Sequence, residues 1–330
     1  MRTLIAPLNW GLGHASRCVP LIERLLAEGH EVVLGGDGES LTLLRKHFPT
    51  LPVLPLAPLN LRYSAGSRQV TAMLRALPHI LLSAWRDHRI VANYLRYEQI
   101  DQIISDNRFG LYLSNRRSRS NNASGLTSNS AAVSIYITHQ LTIALPRPWR
   151  WLEPLAARLH RRIISHYDQC WIPDLPDTPG LAGRLSHPAQ LPRNAKYIGA
   201  LSRFNGHTYQ PDHTYDVVAV LSGLEPQRTI FEQQIVARWQ DSGKQVLIIR
   251  GKMQAPPTVT HHKNITFAPW MDDHHLAAYL LGAKHIICRS GYSSLMDMHA
   301  LGVLNRVEWH PTPGQPEQQY LAQLHLSNHK

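Results

Sequence analysis

Near its carboxyl end the chain reads Cys288-Arg289-Ser290-Gly291-Tyr292-Ser293-Ser294-Leu295-Met296-Asp297, and after one more apolar run Pro311-Thr312-Pro313-Gly314-Gln315-Pro316-Glu317-Gln318-Gln319-Tyr320. The apolar His285-Ile286-Ile287-Cys288 predicts a strand, Gly291 a turn, and Ser293 and Ser294 the first turn of a helix. Such a junction offers unpaired backbone N–H groups and a positive dipole end, which suits an anion. Asp297 falls almost two turns into that helix, where a carboxylate can accept two hydroxyl protons from a ribose or a sugar. The same serines would also serve a plain helix cap, so the choice rests on the remainder of the chain.

At 330 residues the chain is too long for one ordinary core and fits two α/β domains. It is 43% hydrophobic and 17% charged, with no apolar run near the roughly 20 residues that span a bilayer, so a soluble or peripheral protein is expected. The apolar part of Met1-Arg2-Thr3-Leu4-Ile5-Ala6-Pro7 is too short for a secretory signal and reads as a first strand; a cytoplasmic location is the expectation. Cys18, Cys170 and Cys288 are far apart, which argues against a disulfide framework or a metal cage. Lys and Arg number 34 against 23 Asp and Glu, a net +11 that favours phosphate-rich partners. No zinc-finger, helix-turn-helix or aromatic RNA-binding pattern accompanies that charge, so nucleic acid is not expected. His261-His262 and His274-His275 are adjacent pairs on expected loops, not the i, i+4 pairs of a metal site.

Residues 2 to 7 predict a strand, Asn9 to Arg17 a glycine-containing turn, Ser16 to Glu28 a helix and Glu31 to Gly36 a second strand. This is a β-turn-α-β unit, and open α/β sheets bind ligands at the carboxyl ends of their strands. Gly11 and Gly13 lack the third glycine of a dinucleotide fingerprint. His14, where the helix begins, is held at the cleft and can serve as a general base. A long helical region from Ser67 to Tyr97, interrupted near Pro78, precedes the strand Gln102-Ile103-Ile104. After that strand Asp106 is a second candidate acid or base, and Arg108 a candidate anion contact. Residues 114 to 130 read as a mobile polar insertion. Trp149, Arg150 and Trp151, ahead of a helix with Arg158, Arg161 and Arg162, suit an anionic membrane surface or, equally, the solvated side of a sheet-covering helix. The polar run 202 to 214 lacks apolar period and reads as the linker between domains 1–201 and 215–330. Beyond it Asp216 to Leu221 is a strand and Ser222-Gly223 a second glycine turn, with Arg228 within reach of a phosphate.

Two α/β halves that each open with strand, glycine turn and helix resemble the GT-B glycosyltransferases and, more narrowly, glycosyltransferase family 28, which contains the peptidoglycan N-acetylglucosaminyltransferase. The likeness is carried by Gly11-Leu12-Gly13-His14, by Ser222-Gly223, by Arg289-Ser290-Gly291 with an acid at Asp297, and by Gln318-Gln319-Tyr320. It implies two Rossmann-like α/β domains facing a cleft, the first on the acceptor side and the second holding a nucleotide sugar. The implied activity is inverting, metal-independent transfer of a hexose or N-acetylhexosamine from a UDP-sugar to a cell-envelope or lipid-linked acceptor, with no cofactor and no metal. His14 and Asp106 are then the catalytic candidates, and Gly11, Gly13, Arg108 and His139 lie on the acceptor side. The donor falls to Ser222, Gly223, Arg228, Arg289, Ser290, Gly291, Asp297, Gln315, Glu317, Gln318 and Gln319, with Asp297 on ribose and the two glutamines on the sugar. Ser105-Asp106-Asn107-Arg108 with Thr138-His139-Gln140 suggests a distinct bacterial branch.

The chain departs from the family pattern in three ways. The first loop has one glycine fewer, and Asp297 stands where glutamate is more usual. The chain also ends eight residues after Ala322, where relatives continue into helices that cross back to the first domain; incomplete cleft closure is the expectation. Two rival readings are a nucleotide-sugar 2-epimerase, which shares the architecture, and a non-catalytic subunit that binds nucleotide sugar or membrane; the cytoplasmic expectation extends to peripheral placement at the inner face of the plasma membrane.

Overall fold

The computed structural model describes residues 1–58, 69–113 and 132–327, and gives residues 69–77, 147 and 327 by backbone alone. The polar insertion expected at 114 to 130 lies outside the described residues. Strands β1 (Arg2–Pro7), β2 (Glu31–Gly36), β3 (Val53–Pro55), β4 (Gln102–Asp106), β5 (Val133–Ile137), β6 (Gln169–Ile172) and β7 (Ala195–Tyr197) form a parallel sheet in the order β3-β2-β1-β4-β5-β6-β7. Helices α1 (Gly13–Ala27), α2 (Gly38–His47), α3 (Gln69–Tyr94) and α4 (Glu153–Ile164) pack on it. The second sheet runs β10-β11-β9-β8-β12-β13, from β8 (Val217–Val220), β9 (Val246–Ile249), β10 (Thr260–His262), β11 (Ile265–Ala268), β12 (His285–Cys288) and β13 (Val307–Trp309). Its helices are α5 (Gln227–Trp239), α6 (Asp273–Gly282), α7 (Tyr292–Ala300) and α8 (Pro316–Ser327). Residues 202–214 join the two sheets without helix or strand, and Ser202 and Phe204 within them are buried.

Central strands such as β1 are apolar on both faces because helices cover each side of a parallel sheet. In both sheets the chain order reverses beside the first strand, between β1 and β4 and between β8 and β12. Loops leaving neighbouring strands at such a point diverge to opposite faces and open a crevice. The turns at Gly11, Asp106, Gly223 and Gly291 sit at these two points.

Three local features differ from the sequence expectation. α3 continues through Pro78 instead of breaking there; its later turns are fixed by burial of Val91 against Ile100, Ile103 and Leu111. His261 and His262 lie in β10, an exposed edge strand antiparallel to β11, where backbone pairing demands no apolar alternation. The crossing back to the first domain, expected to be missing, is made by α8. Leu321 and Ala322 are buried in one core with Leu181, Ala182 and Leu185, and the Tyr320 hydroxyl accepts from the Arg184 backbone N–H at 2.9 Å.

His160 on α4 packs edge-on to Tyr136 of β5 and Phe109, and burial pulls its pKa down from 6.5 to about 4. The unfolded chain therefore binds the extra proton between those values while the folded one does not, so stability falls as pH drops through this window, by on the order of 2–3 kcal/mol at pH 4.5. Urea midpoints of wild type and His160→Gln at pH 7.5 and 4.5 should show a smaller acid loss in the variant; parallel losses would remove His160 as the cause.

Candidate active site

Between the two sheets lies a cleft of about 710 Å³. One wall comes from the turn after β1 (Leu8, Trp10 to Gly13), the loop after β4 (Asn107 to Phe109) and the loop after β5 (Thr138 to Gln140). Facing it are Ser222 and Gly223 after β8, Gly251 and Met253 after β9, Trp270 and Met271 after β11, the start of α7 (Gly291 to Ser294), and Gly314 to Gln318. The two walls touch at Gly13: Ser293 Oγ donates to its carbonyl at 2.8 Å, and a Cβ on Gly13 would come 2.7 Å from that oxygen. Gly11 holds a φ of +76°, open to glycine without strain.

His14 opens onto the cleft from the first turn of α1, with its Nδ1 3.0 Å from Asp106 Oδ1. Asp106 itself is fully buried. Arg17, one turn along α1, grips both carboxylate oxygens through its Nε and one terminal nitrogen. Burial opposes ionisation of Asp106, but Arg17 and then His14 outweigh it and set its pKa at about 2. The Arg17 nitrogen that holds Asp106 also lies 2.9 Å from His14 Nδ1. The carboxylate can only accept, so the 3.0 Å contact with Asp106 Oδ1 places the His14 proton on Nδ1 and leaves Nε2 as the atom with the free lone pair. A fixed, buried anion orients the imidazole; it cannot itself reach a substrate. Asp106 as a direct base is thereby corrected to Asp106 as the partner of His14.

On the other side of Arg17 its second terminal nitrogen lies 3.3 Å from His139 Nδ1. His139 stacks on Tyr292 at 4.1 Å between ring centroids, and its Nε2 lies 2.7 Å from Glu317 Oε1. Burial lowers the pKa of His139. His139 thus belongs to the contact between the domains.

The predicted donor residues divide. Gly223, Ser222, Gly291, Asp297, Gln315, Glu317 and Gln318 border the cleft. No side chain caps α7, whose N-cap is Gly291, and Ser290 Oγ just before it donates to the Gln318 carbonyl at 2.8 Å. Arg289 is buried behind the turn, its guanidinium over Phe231 and donating to the carbonyls of Pro311 and Gln227; burial lowers its pKa to about 10. Arg228 is spent on Glu225 and the Gly251 carbonyl. Arg108 borders the acceptor side, but Asp87, Asp37 and the Ala57 carbonyl take its donors. These three arginines are bound into the loops around them, and only Arg108 borders the cleft. Gln319 is exposed and does not line the cleft, and the Gln318 side-chain oxygen accepts from the Thr312 backbone N–H at 2.7 Å. The carboxylate of Glu317 also borders the cleft at this corner. Asp297 is buried with Ser202 Oγ at 2.7 Å and Arg203 Nε at 3.3 Å; burial raises its pKa against the pull of Arg203.

Sequence reading missed Arg17, Arg203, Trp270 and Met253. Arg17 falls among Ala15, Cys18, Leu21 and Ile22 on the buried face of α1, an arginine where the pattern demands an apolar residue, and that mismatch was its signal. Trp270 and Met253 follow the strands β11 and β9 at their carboxyl ends.

No family model matches the chain. Over 327 residues it is 24% identical to an uncharacterized glycosyltransferase of Methanosarcina acetivorans, covering 92% of this chain and 78% of that protein. A second, from Methanosarcina mazei, is 23% identical over 308 residues with the same coverage. Both sources are archaeal, where the motifs had suggested a bacterial branch. Among solved structures, the calicheamicin glycosyltransferase CalG4 superimposes with a TM-score of 0.55 at 12% identity, over 98% of this chain and 84% of that one. Phytolacca americana UGT2, complexed with UDP-2-fluoro-glucose and pterostilbene, gives 0.55 at 13% identity over 99% and 83%. The fold is GT-B. A UDP-N-acetylglucosamine 2-epimerase structure from Listeria monocytogenes shares this GT-B likeness, with a TM-score of 0.53 at 12% identity over 99% and 88%.

Removal of the cation from the GT-B cleft tests the electrostatic arrangement. Arg17→Met leaves the Asp106 carboxylate buried without its partner, which should cost about 3–5 kcal/mol, read from denaturant unfolding. Arg17→Met/Asp106→Asn should recover part of that loss; a single variant as stable as wild type would show that the pair is not needed.

Proposed function

We propose that the protein is an inverting, metal-independent glycosyltransferase that moves a hexose or N-acetylhexosamine from a UDP-sugar to a hydroxyl acceptor. The observation that carries this reading is the placement of an oriented His14 on one wall, opposite the uncapped amino end of α7 on the other. The acceptor hydroxyl gives its proton to His14 Nε2 as its oxygen bonds to the anomeric carbon. The bond from that carbon to the diphosphate oxygen breaks on the far side, and the nucleoside diphosphate leaves. Backbone N–H groups of Tyr292 to Ser294 stabilise the leaving charge, as preorganised dipoles do best. Bound ligands in similar structures, UDP-2-fluoro-glucose in UGT2 and thymidine diphosphate in the spinosyn rhamnosyltransferase SpnG, support a nucleoside-diphosphate donor. Ile80, Ala84, Phe109 and Ile143 at the acceptor end support an amphiphilic acceptor, lipid-linked or from the cell envelope.

With a UDP-sugar and a competent acceptor, His14→Ala should lower transfer about 10²-fold or more while UDP binding by calorimetry stays near wild type. A change below about threefold would remove His14 as the base. Conversion of UDP-N-acetylglucosamine with no acceptor present would instead indicate the epimerase.

Peripheral attachment to an anionic membrane is the second part of the proposal. Trp151, Leu155 and Leu159 are 73%, 54% and 58% exposed, Trp149 stands beside them, and Arg150, Arg158, Arg161 and Arg162 are exposed on the same segment. Apolar side chains flanked by cations insert at the headgroup level. Trp151→Ser/Leu159→Ser should sediment less with phosphatidylserine vesicles than wild type and should unfold at an unchanged midpoint. Equal sedimentation would exclude this surface.

A further inference from the structure

Glu317, in the first turn of α8, belongs to the second domain, yet both of its carboxylate oxygens are held by the first. His139 Nε2 lies 2.7 Å from Oε1, and the Gln140 side-chain amide donates to Oε2. A carboxylate only accepts, so His139 must carry its proton on Nε2. Its Nδ1 is then an acceptor, and the nearest donor is Arg17, 3.3 Å away. One neutral tautomer therefore satisfies both neighbours. The stack on Tyr292, whose hydroxyl donates to the Pro173 carbonyl at 2.7 Å, fixes the ring plane. Each oxygen of Glu317 has lone pairs beyond the one used, and the side chain is 26% exposed where it borders the cleft.

We propose that His139 and Gln140 are positioning residues that hold Glu317 to accept hydroxyl protons from the donor's sugar, so that sugar recognition requires the two domains to be closed on each other. The inference rests on the nucleotide-sugar reading above. A nucleoside diphosphate alone needs only the second-domain turns at Gly223 and Gly291, whereas the sugar also needs a carboxylate that the first domain puts in place. The same side chain reaches, through Arg17 and Asp106, the base His14. Donor recognition and base orientation are thus joined by one run of hydrogen bonds: Glu317 to His139, His139 to Arg17, Arg17 to Asp106, Asp106 to His14.

The test compares calorimetric affinities for UDP, UDP-glucose and UDP-N-acetylglucosamine in wild type, His139→Phe, Gln140→Ala and His139→Gln. Phenylalanine keeps the stack on Tyr292 and removes both hydrogen bonds. Gln140 is a loop residue whose truncation leaves the ring untouched. Wild type should bind at least one UDP-sugar more tightly than UDP. His139→Phe should lose that added affinity, by about tenfold or more for a hydrogen bond to a charged group, with UDP affinity within about twofold of wild type. Gln140→Ala should lose a smaller part in the same ligand-selective way. His139→Gln, whose amide can again donate to Glu317, should recover part of the loss. An undiminished preference for UDP-sugar over UDP in both His139→Phe and Gln140→Ala would overturn the proposal, and so would a proportionate loss for UDP and UDP-sugars. If wild type binds none of the three ligands, the nucleotide-sugar reading itself fails and the inference falls with it.

Discussion

The buried ion pair between Arg17 and Asp106 is the interaction on which the site depends. Each ion alone would be expensive beneath a closed two-domain core, and neither has solvent to fall back on. Together they satisfy one another and leave directed capacity at each end: Asp106 for the Nδ1 proton of His14, and Arg17 for the Nδ1 lone pair of His139. A pair of this kind contributes little net stability against an apolar substitute. It fixes geometry instead, because rotation of His14 would give up its hydrogen bond to a carboxylate that Arg17 holds in place.

The positions of these groups follow from sheet topology. Parallel strands deliver every following loop to one edge, and the reversals of order beside β1 and β8 open that edge into two crevices that face one another. Strand ends therefore supply Asp106 and the turns at Gly11, Gly223 and Gly291, and helix starts supply backbone N–H groups. α8 completes the enclosure by bringing Glu317 under His139 while Leu321 and Ala322 bury against the first domain. Closure of the two domains and placement of Glu317 beside His139 are consequently one event in the packing of this helix.

Basic residues near strand ends divide by what else is within reach. Arg108 and Arg228 each find a carboxylate and a carbonyl of the surrounding loops, and Arg289 finds carbonyls and an aromatic face. A guanidinium has five donors and costs much to bury with them unmet. Loop carbonyls that need donors therefore capture it before a ligand does. The net positive charge of the chain does not show which arginines remain available to a phosphate.

Taken alone, the sequence determined the β-turn-α units, the two α/β halves and the residues at the cleft-facing turns, because apolar period, glycine and helix-start signals are local. It placed His14, Asp106, Gly223, Gly291 and Glu317 at the right edge of the right sheets. Only the tertiary structure decided what those side chains touch. Arg17 meets Asp106 across 89 residues of chain, and His139 meets Glu317 across 178. No spacing rule encodes such pairs, because they are set by how two separately folded layers close on each other. Asp106 is buried against His14 and Arg17, Gln318 turns to the Thr312 backbone and Glu317 meets His139, for that one reason.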